Sequence, residues 1–379
     1  MKSTKLVYTC SYCSGIILFI LGAFLLFNIK TAPPPPVQDV STPSSNSKSI
    51  DIITKYTGNQ NPINFLVFIK EASGLNTDTM IIAHYEPSTK QISLLTVPRD
   101  TKPSNNANYK INSVYYLGLN KYERSKELSE AEKKHKAVEY ATQTISNLTN
   151  IPIDYYIYLE ISTVREIVDR LGGVYFDVPA DLKYTDPTQD LYIDLKKGYQ
   201  LLDGDKAEQL LRFRKPFSLS RASADLKEYY DGSDLKRTEM QIKFLNELIQ
   251  QKVNLLELPT LIPIIKYTFE NVITNTSLTD TLSLFSAFTQ ASRPSMNTFK
   301  LYGLDKRINN AEYFIYIDKI EDIKTRDRFD AQEIIDKYFT SKSNSFFPDK
   351  SKRYDYQSIL DSNPSNSETD SQGDGKDKP

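Results

Sequence analysis

The arginines carry the clearest chemical promise in this chain. Arg212 and Arg214 lie two apart in Leu210-Leu-Arg-Phe-Arg-Lys215. In an extended backbone, residues i and i+2 face the same way, so the spacing predicts two guanidiniums aimed at one spot. Asp234, Arg237 and Gln241 follow at i, i+3 and i+7, which on a helix forms one polar stripe. Three arginines with a carboxylate among them suit a phosphate or pyrophosphate clamp. The guanidinium fork grips such oxygens two at a time and keeps its charge near neutral pH. Salt bridges on a solvated face are the competing reading of the same spacing.

Other chemistries fit the sequence poorly. His84 and His135 are isolated, and there is no His-Glu-x-x-His helix or Cys/His cluster. That argues against a zinc enzyme and against a Ser-His-Asp triad. Hydrolytic or transfer chemistry here rests on carboxylates, arginines and lysines, with a hard cation as the metal option. A formal net charge of −1 gives no global basic field for nucleic acid.

The elements that must position these residues are legible in outline. Residues 64–69, 79–85 and 91–97 read as strands, the last two joined by the turn Glu86-Pro-Ser-Thr-Lys90. Ser129 and Glu132 form a capping box that opens a helix with Val138, Ala141, Ile145 and Leu148 on one face. After a strand at 155–159, whose tyrosines read as packing groups, Ser162 is expected to cap a second helix. Its core positions are Val164, Ile167, Val168 and Leu171, and Gly172-Gly173 ends it. Further strands are expected at 174–178 and 191–195, and a short helix at 203–211. The helix from Asp234 to about Lys252 has Leu235, Thr238, Ile242, Leu245 and Ile249 as its inner stripe, with Asp234, Arg237 and Gln241 at the rim. Apolar helices near 258–272 and 279–290, strands at 299–302 and 313–317 and a helix near 330–339 complete the pattern. Mixed strands and helices predict an α/β fold, a three-layer α/β/α domain with a mixed central sheet. His84 is expected on a solvent or sheet-edge face.

The ends differ from this region. Residues 1–11 carry Lys2 and Lys5 and are expected in the cytoplasm. Residues 12–29 form an apolar stretch near the roughly 20 residues that span a bilayer, and are expected to be a transmembrane anchor. Cys10 and Cys13 border it, outside any redox-type βαβ pattern. Residues 30–57, rich in Pro and Ser, read as a stalk, and residues 58–340 as an extracytoplasmic folded domain. Residues 341–379 are expected to be a disordered polar tail.

Several segments together resemble the LytR-CpsA-Psr (LCP) family of bacterial envelope phosphotransferases. In order they are Asp78-Thr-Met, Val97-Pro-Arg-Asp-Thr101, Lys110-Ile-Asn112, Leu171-Gly-Gly-Val-Tyr-Phe-Asp-Val-Pro179, Lys196-Lys-Gly-Tyr-Gln-Leu-Leu-Asp-Gly204, Arg212-Phe-Arg214, and Asp234-x-x-Arg237 with Gln241. The resemblance implies a single-pass membrane enzyme. It would move a glycopolymer, such as a teichoic acid or capsule, from a polyprenyl-pyrophosphate carrier to a peptidoglycan sugar hydroxyl. It also implies roles for individual residues. Arg99, Arg212, Arg214, Asp234 and Arg237 would be catalytic, Lys110 and Gln241 would bind the pyrophosphate, and Asp78 with Glu71 would hold Mg2+. The implied partners are the lipid-linked glycopolymer, peptidoglycan and the membrane, with no nucleic acid.

The chain departs from the family pattern in three places. Where the family has Gly-x-Asp at the end of the first strand, this chain reads Ile69-Lys70-Glu71. Extra residues lie between Lys215 and Asp234, and Met240 replaces a basic residue. Two alternatives share the site: a polyprenyl-pyrophosphate hydrolase, with water in place of the sugar hydroxyl, and a non-catalytic lipid- or glycan-binding scaffold.

Overall fold

The structure is a computed structural model. It describes residues 61–70, 74–89, 91–216, 218, 222–230, 234–252, 264, 267–277, 295–321, 328–341, 345–352 and 354–361. The expected anchor, the stalk, Glu71, both cysteines and the helix near 279–290 lie outside these residues. No helix among the described residues is long and apolar enough to cross a membrane.

Strands β1 (Ile63–Lys70), β2 (Thr77–Glu86) and β3 (Gln91–Thr96) open the domain as an antiparallel meander. Helices α1 (Val114–Tyr122) and α2 (Glu130–Thr149) follow, then β4 (Tyr155–Glu160), which returns parallel to β1. After α3 (Ile161–Arg170) come four short strands: β5 (Val174–Val178), β6 (Leu182–Asp186), β7 (Leu191–Leu195) and β8 (Gly198–Leu202). They pair as two ribbons, β5 with β8 and β6 with β7. Helices α4 (Gly204–Arg212), α5 (Ala224–Tyr229) and α6 (Asp234–Lys252) come next. Then β9 (Ile273–Thr274) and β10 (Ser295–Lys300) close the two edges of the central sheet. Its order is β10-β3-β2-β1-β4-β9, with parallel and antiparallel neighbours, so the sheet is mixed as expected. A hairpin of β11 (Gly303–Ile308) and β12 (Ala311–Tyr316) and helix α7 (Ala331–Tyr338) follow.

The period-2 rule divides the sheet between two cores. Phe65, Val67 and Ile69 of β1 face one layer with α3, α4 and α6, while Leu66 and Phe68 face the other with α1, α2 and β12. Because both faces are covered, β1 is buried along its whole length. On the second face, α1 lies hard against α2. A Cβ at Gly118 would fall 2.8 Å from the Ala137 Cα, so glycine is what permits that approach.

Caps agree with the sequence in part. The Ser129/Glu132 capping box is present, and Gly172 and Gly173 end α3 at φ 74° and 76°. Ser162, however, is not a cap. Helix α3 starts at Ile161, and the preceding residue Glu160 makes no side-chain capping bond. The reason is Glu160's place in β4, where its carboxylate pairs with Lys70 at 3.2 Å. Arg212 and Arg214 are not on a strand either. Arg212 is the last residue of α4, and the chain turns to extended geometry only at Phe213. Chain beyond residue 340 also packs on the domain. Ile153 and Phe346 exchange backbone hydrogen bonds, and Tyr354 and, in the last helix α8 (Tyr356–Asp361), Ile359 are buried.

His84 is the clearest reversal, because it lies inside the sheet at 3% exposure. Its Nδ1 is 2.8 Å from Asn64 Oδ1, while Asn64 Nδ2 donates to the carbonyls of Pro152 and Phe339. With the amide hydrogens spent, Asn64 Oδ1 must accept, so His84 Nδ1 carries the proton in a neutral ring. Burial pushes the imidazole down to about 4, against a weaker opposing pull from Glu86.

A pH dependence of stability follows. The unfolded histidine binds its proton below its ordinary 6.5, whereas the folded one does so only near 4. Stability therefore rises with pH between those values and is complete above 6.5, with an amplitude of roughly 3 kcal/mol. Urea unfolding at pH 4.5 and pH 7 should show a smaller stability difference in His84→Gln than in the natural chain.

Candidate active site

Asp78 owes its position to a break in strand pairing. Ile69 pairs with Thr79 and Lys70 with Thr77, so Asp78 is an extra residue on β2. A bulge of this kind bends its strand and re-aims a side chain. The Asp78 side chain is 8% exposed, and its Oδ1 accepts a hydrogen bond from Arg99 Nη1 at 2.5 Å. Its backbone carbonyl lies 3.4 Å from Arg237 Nη2. One residue thus holds two of the arginines, through different atoms.

Arg99 sits in the loop after β3, which is fixed from both sides. Ile111 N–H donates to Thr101 O and Asn112 N–H to Arg99 O. On the opposite flank, Phe314 N–H of β12 donates to Asp100 O, and Lys102 N–H donates to Phe314 O. Thr101, at 0% exposure, closes the turn through its hydroxyl onto Pro98 O.

The other arginines come from the opposite layer. Arg212 ends α4, and its Nη1 lies 3.0 Å from Glu208 Oε1 one turn back. Both side chains are largely buried, and Arg165 approaches the second Glu208 oxygen at 3.6 Å. Phe213 is buried edge-on against Tyr230 at 4.7 Å. The chain is extended there, so Arg214 returns toward the same space as Arg212. Arg237 is 4% exposed on α6, deeper than the expected rim.

These groups meet in a cleft of about 420 Å³. Arg99, Arg212, Arg214, Lys215 and Arg237 line it with Asp78, the one carboxylate among its described lining residues. Asn76, Asn112 and Tyr184 complete the polar wall. Five basic side chains around one acid form an anion site, because guanidinium N–H groups and a low-dielectric wall both favour negative charge.

Not every expected residue arrives at this cleft. Lys110 Nζ pairs with Asp100 Oδ1 at 2.7 Å, outside the lining. Gln241 is a fastener between layers: its amide donates to Leu211 O at 3.0 Å and its Oε1 accepts from Thr79 at 3.4 Å. Asp234 begins α6, but its side chain lies outside the described residues, as does all of Glu71. Lys215 and Glu208 were given no role from the sequence, and Asn112 stood only in a motif segment. Glu208 had a signal, since it precedes Arg212 by four on one helix.

Known proteins resemble this chain in sequence and in shape. The model of the LytR_cpsA_psr family matches residues 38–328. The Bacillus subtilis (strain 168) polyisoprenyl-teichoic acid–peptidoglycan teichoic acid transferase TagV is 26% identical over 246 residues, which are 63% of this chain and 55% of TagV. The chain spans about half the length of the curated relatives it matches. The crystal structure of B. subtilis TagV superposes with a TM-score of 0.50 at 25% identity, over 68% of this chain and 91% of that one. The structure of B. subtilis TagT gives a TM-score of 0.51 at 20% identity, over 74% and 91%, a likeness of fold.

The Glu208–Arg212 contact should be measurable on its own. Glu208→Gln keeps the shape but withdraws the charge facing a buried guanidinium. It should lower stability by about 1–3 kcal/mol in urea denaturation. Glu166→Gln, at an exposed i,i+4 pair with Arg170 on α3, should cost under about 0.5 kcal/mol.

Proposed function

The chain belongs to the LytR_cpsA_psr family, and from that premise we propose that it transfers a glycopolymer from a polyprenyl-pyrophosphate carrier to a hydroxyl of a peptidoglycan sugar. The observation that carries this reading is the cleft with five basic side chains around Asp78. Such a cleft matches the charge of a pyrophosphate, and phosphoryl transfer asks a protein mainly for positioning and charge neutralisation. The names of the curated relatives support the two substrates, since those proteins are teichoic acid transferases acting between a polyisoprenyl carrier and peptidoglycan.

In the proposed reaction, Arg212, Arg214 and Arg237 hold the pyrophosphate oxygens, and Arg99 enters from the facing loop. The acceptor oxygen forms a new bond to the phosphorus that carries the glycopolymer. The bridging P–O bond breaks, and its electron pair leaves on the polyprenyl monophosphate. The hydroxyl proton passes to the Asp78 carboxylate. Asp234, whose carboxylate would orient an arginine of this set, belongs to the same proposal.

The proposal includes magnesium, for which Asp78 offers a carboxylate beside the anion site. This cation commonly takes one or two carboxylates together with substrate phosphate oxygens. Asp78 would hold it, with Glu71 as the second acid, and the ion would supply neutralising charge to the pyrophosphate. An anchor at residues 12–29, in the cell membrane, would keep the cleft beside a lipid-linked donor.

The test uses the full chain with a labelled lipid-linked donor, with and without peptidoglycan. Label should move to peptidoglycan, and Arg212→Ala should slow that movement about 10²–10³-fold. Chelation should also slow it, and Mg2+ should restore it. Soluble phosphate-bearing product alone would replace this reading with a hydrolase. Unchanged polymer attachment in cells carrying both Arg212→Ala and Asp78→Ala would leave only a scaffold.

A further inference from the structure

A second groove, of about 540 Å³, adjoins the arginine cleft, and Asp78 and Arg214 line both. Its volume is in the range of about 300–1,000 Å³ common to small-molecule sites. Its charge is balanced where the cleft's is positive. Asp78 is ion-paired with Arg99 and Asp100 with Lys110, which leaves Asp305 and Glu312 against Arg214 and Lys300, whereas the cleft has five bases to one acid. Resting on the transferase reading above, we propose that this groove is the acceptor subsite, and that Asp305 and Glu312 hold the hydroxyl and amide N–H groups of a neutral N-acetylhexosamine chain.

Charge decides which substrate goes where. A pyrophosphate is drawn to the strongly basic cleft and gains no such attraction in the balanced groove. A neutral sugar chain needs no net field and gains instead from charge-assisted bonds, in which its O–H and N–H groups donate to carboxylates. Leu304, 40% exposed, supplies an apolar surface for the C–H face of a sugar ring.

The groove is also fixed relative to the cleft. Asp305 and Glu312 sit on the β11–β12 hairpin, and Phe314 of that hairpin is hydrogen-bonded to the backbone on both sides of Thr101, next to Arg99. The Phe314 ring bears on Gly303, where a Cβ would fall 2.6 Å from it. The hairpin is therefore tied to the loop that carries Arg99. A hydroxyl held in the groove meets the pyrophosphate at Asp78 and Arg214. There its oxygen bonds the phosphorus, the bridging P–O bond breaks toward the prenyl phosphate, and Asp78 takes the proton.

The experiment uses the full chain, a prenyl-pyrophosphate-linked disaccharide as donor, and tetra-N-acetylchitotetraose as acceptor. The double variant Asp305→Ala/Glu312→Ala removes two exposed carboxylates. It should raise the acceptor KM about tenfold or more, the loss expected for charge-assisted hydrogen bonds. Its donor dissociation constant should stay within about twofold of the natural chain's, which also reports an intact cleft. If the natural chain transfers and the variant's acceptor KM is unchanged, or if donor binding falls in parallel, the groove is not the acceptor subsite. If the natural chain binds donor but transfers to neither this acceptor nor peptidoglycan, the transferase reading fails and the groove assignment fails with it.

Discussion

The contact between Arg99 and Asp78 is the constraint on which the candidate site depends. Several guanidiniums in one cleft repel each other, and the repulsion grows as water is excluded. Asp78 offsets it at the centre: its carboxylate takes Arg99 and its carbonyl faces Arg237. Glu208 does the same for Arg212 at the far wall. The acids hold the cations in place, but among the described lining residues one acid faces five bases. The remaining positive charge is the attraction that an anionic ligand would satisfy, so ligand binding and stability are coupled.

That centre exists because the sheet is irregular at one residue. Without the bulge, Asp78 would continue the alternation of β2, in which Ile81 and Ala83 pack in one core and Met80 and Ile82 in the other. A carboxylate in either layer would be buried among apolar groups at a large cost. The extra residue instead turns Asp78 toward the loop after β3. That loop is rigid because Thr101, Asn112 and Phe314 satisfy its backbone from two directions. Bulge and loop come from adjacent strands, and Arg212, Arg214 and Arg237 come from helices α4 and α6 and the chain between them, so the cleft forms at the seam between the sheet and the helical layer.

Most of the central sheet was legible because alternation and apolar runs are local signals, and β1 through β4 carry them. The capping box and the paired glycines were legible for the same reason. Helix α1 was not, since Val-Tyr-Tyr-Leu-Gly-Leu-Asn mixes aromatic and glycine residues without a clean 3.6 period, and its helicity rests on packing against α2. His84 was misplaced because a histidine between apolar neighbours looks like a polar alternation point. The partner that makes its burial tolerable, Asn64, is on another strand. At the site, residue types foretold the arginines but not the length of their reach. Lys110 and Gln241 sit in motif segments yet spend their polar atoms on Asp100, Leu211 and Thr79.

The extra residues between Lys215 and Asp234 have a physical role that spacing alone did not reveal. Phe213 stands between the two clamp arginines in sequence, and it is 1% exposed. Its edge-on partner, Tyr230, comes from the end of that added stretch, just past α5. Tyr230 is at 0% exposure, its hydroxyl has no hydrogen-bond partner among the described residues, its ring packs on Phe213, and burial holds the phenol protonated. Fixing Phe213 fixes the backbone on either side of it. The aromatic pair works as a pivot that sends Arg212 and Arg214 into the cleft together, which an extended strand would have done by alternation. The added stretch therefore bears on the geometry of the anion site without contributing a charged group to its described lining.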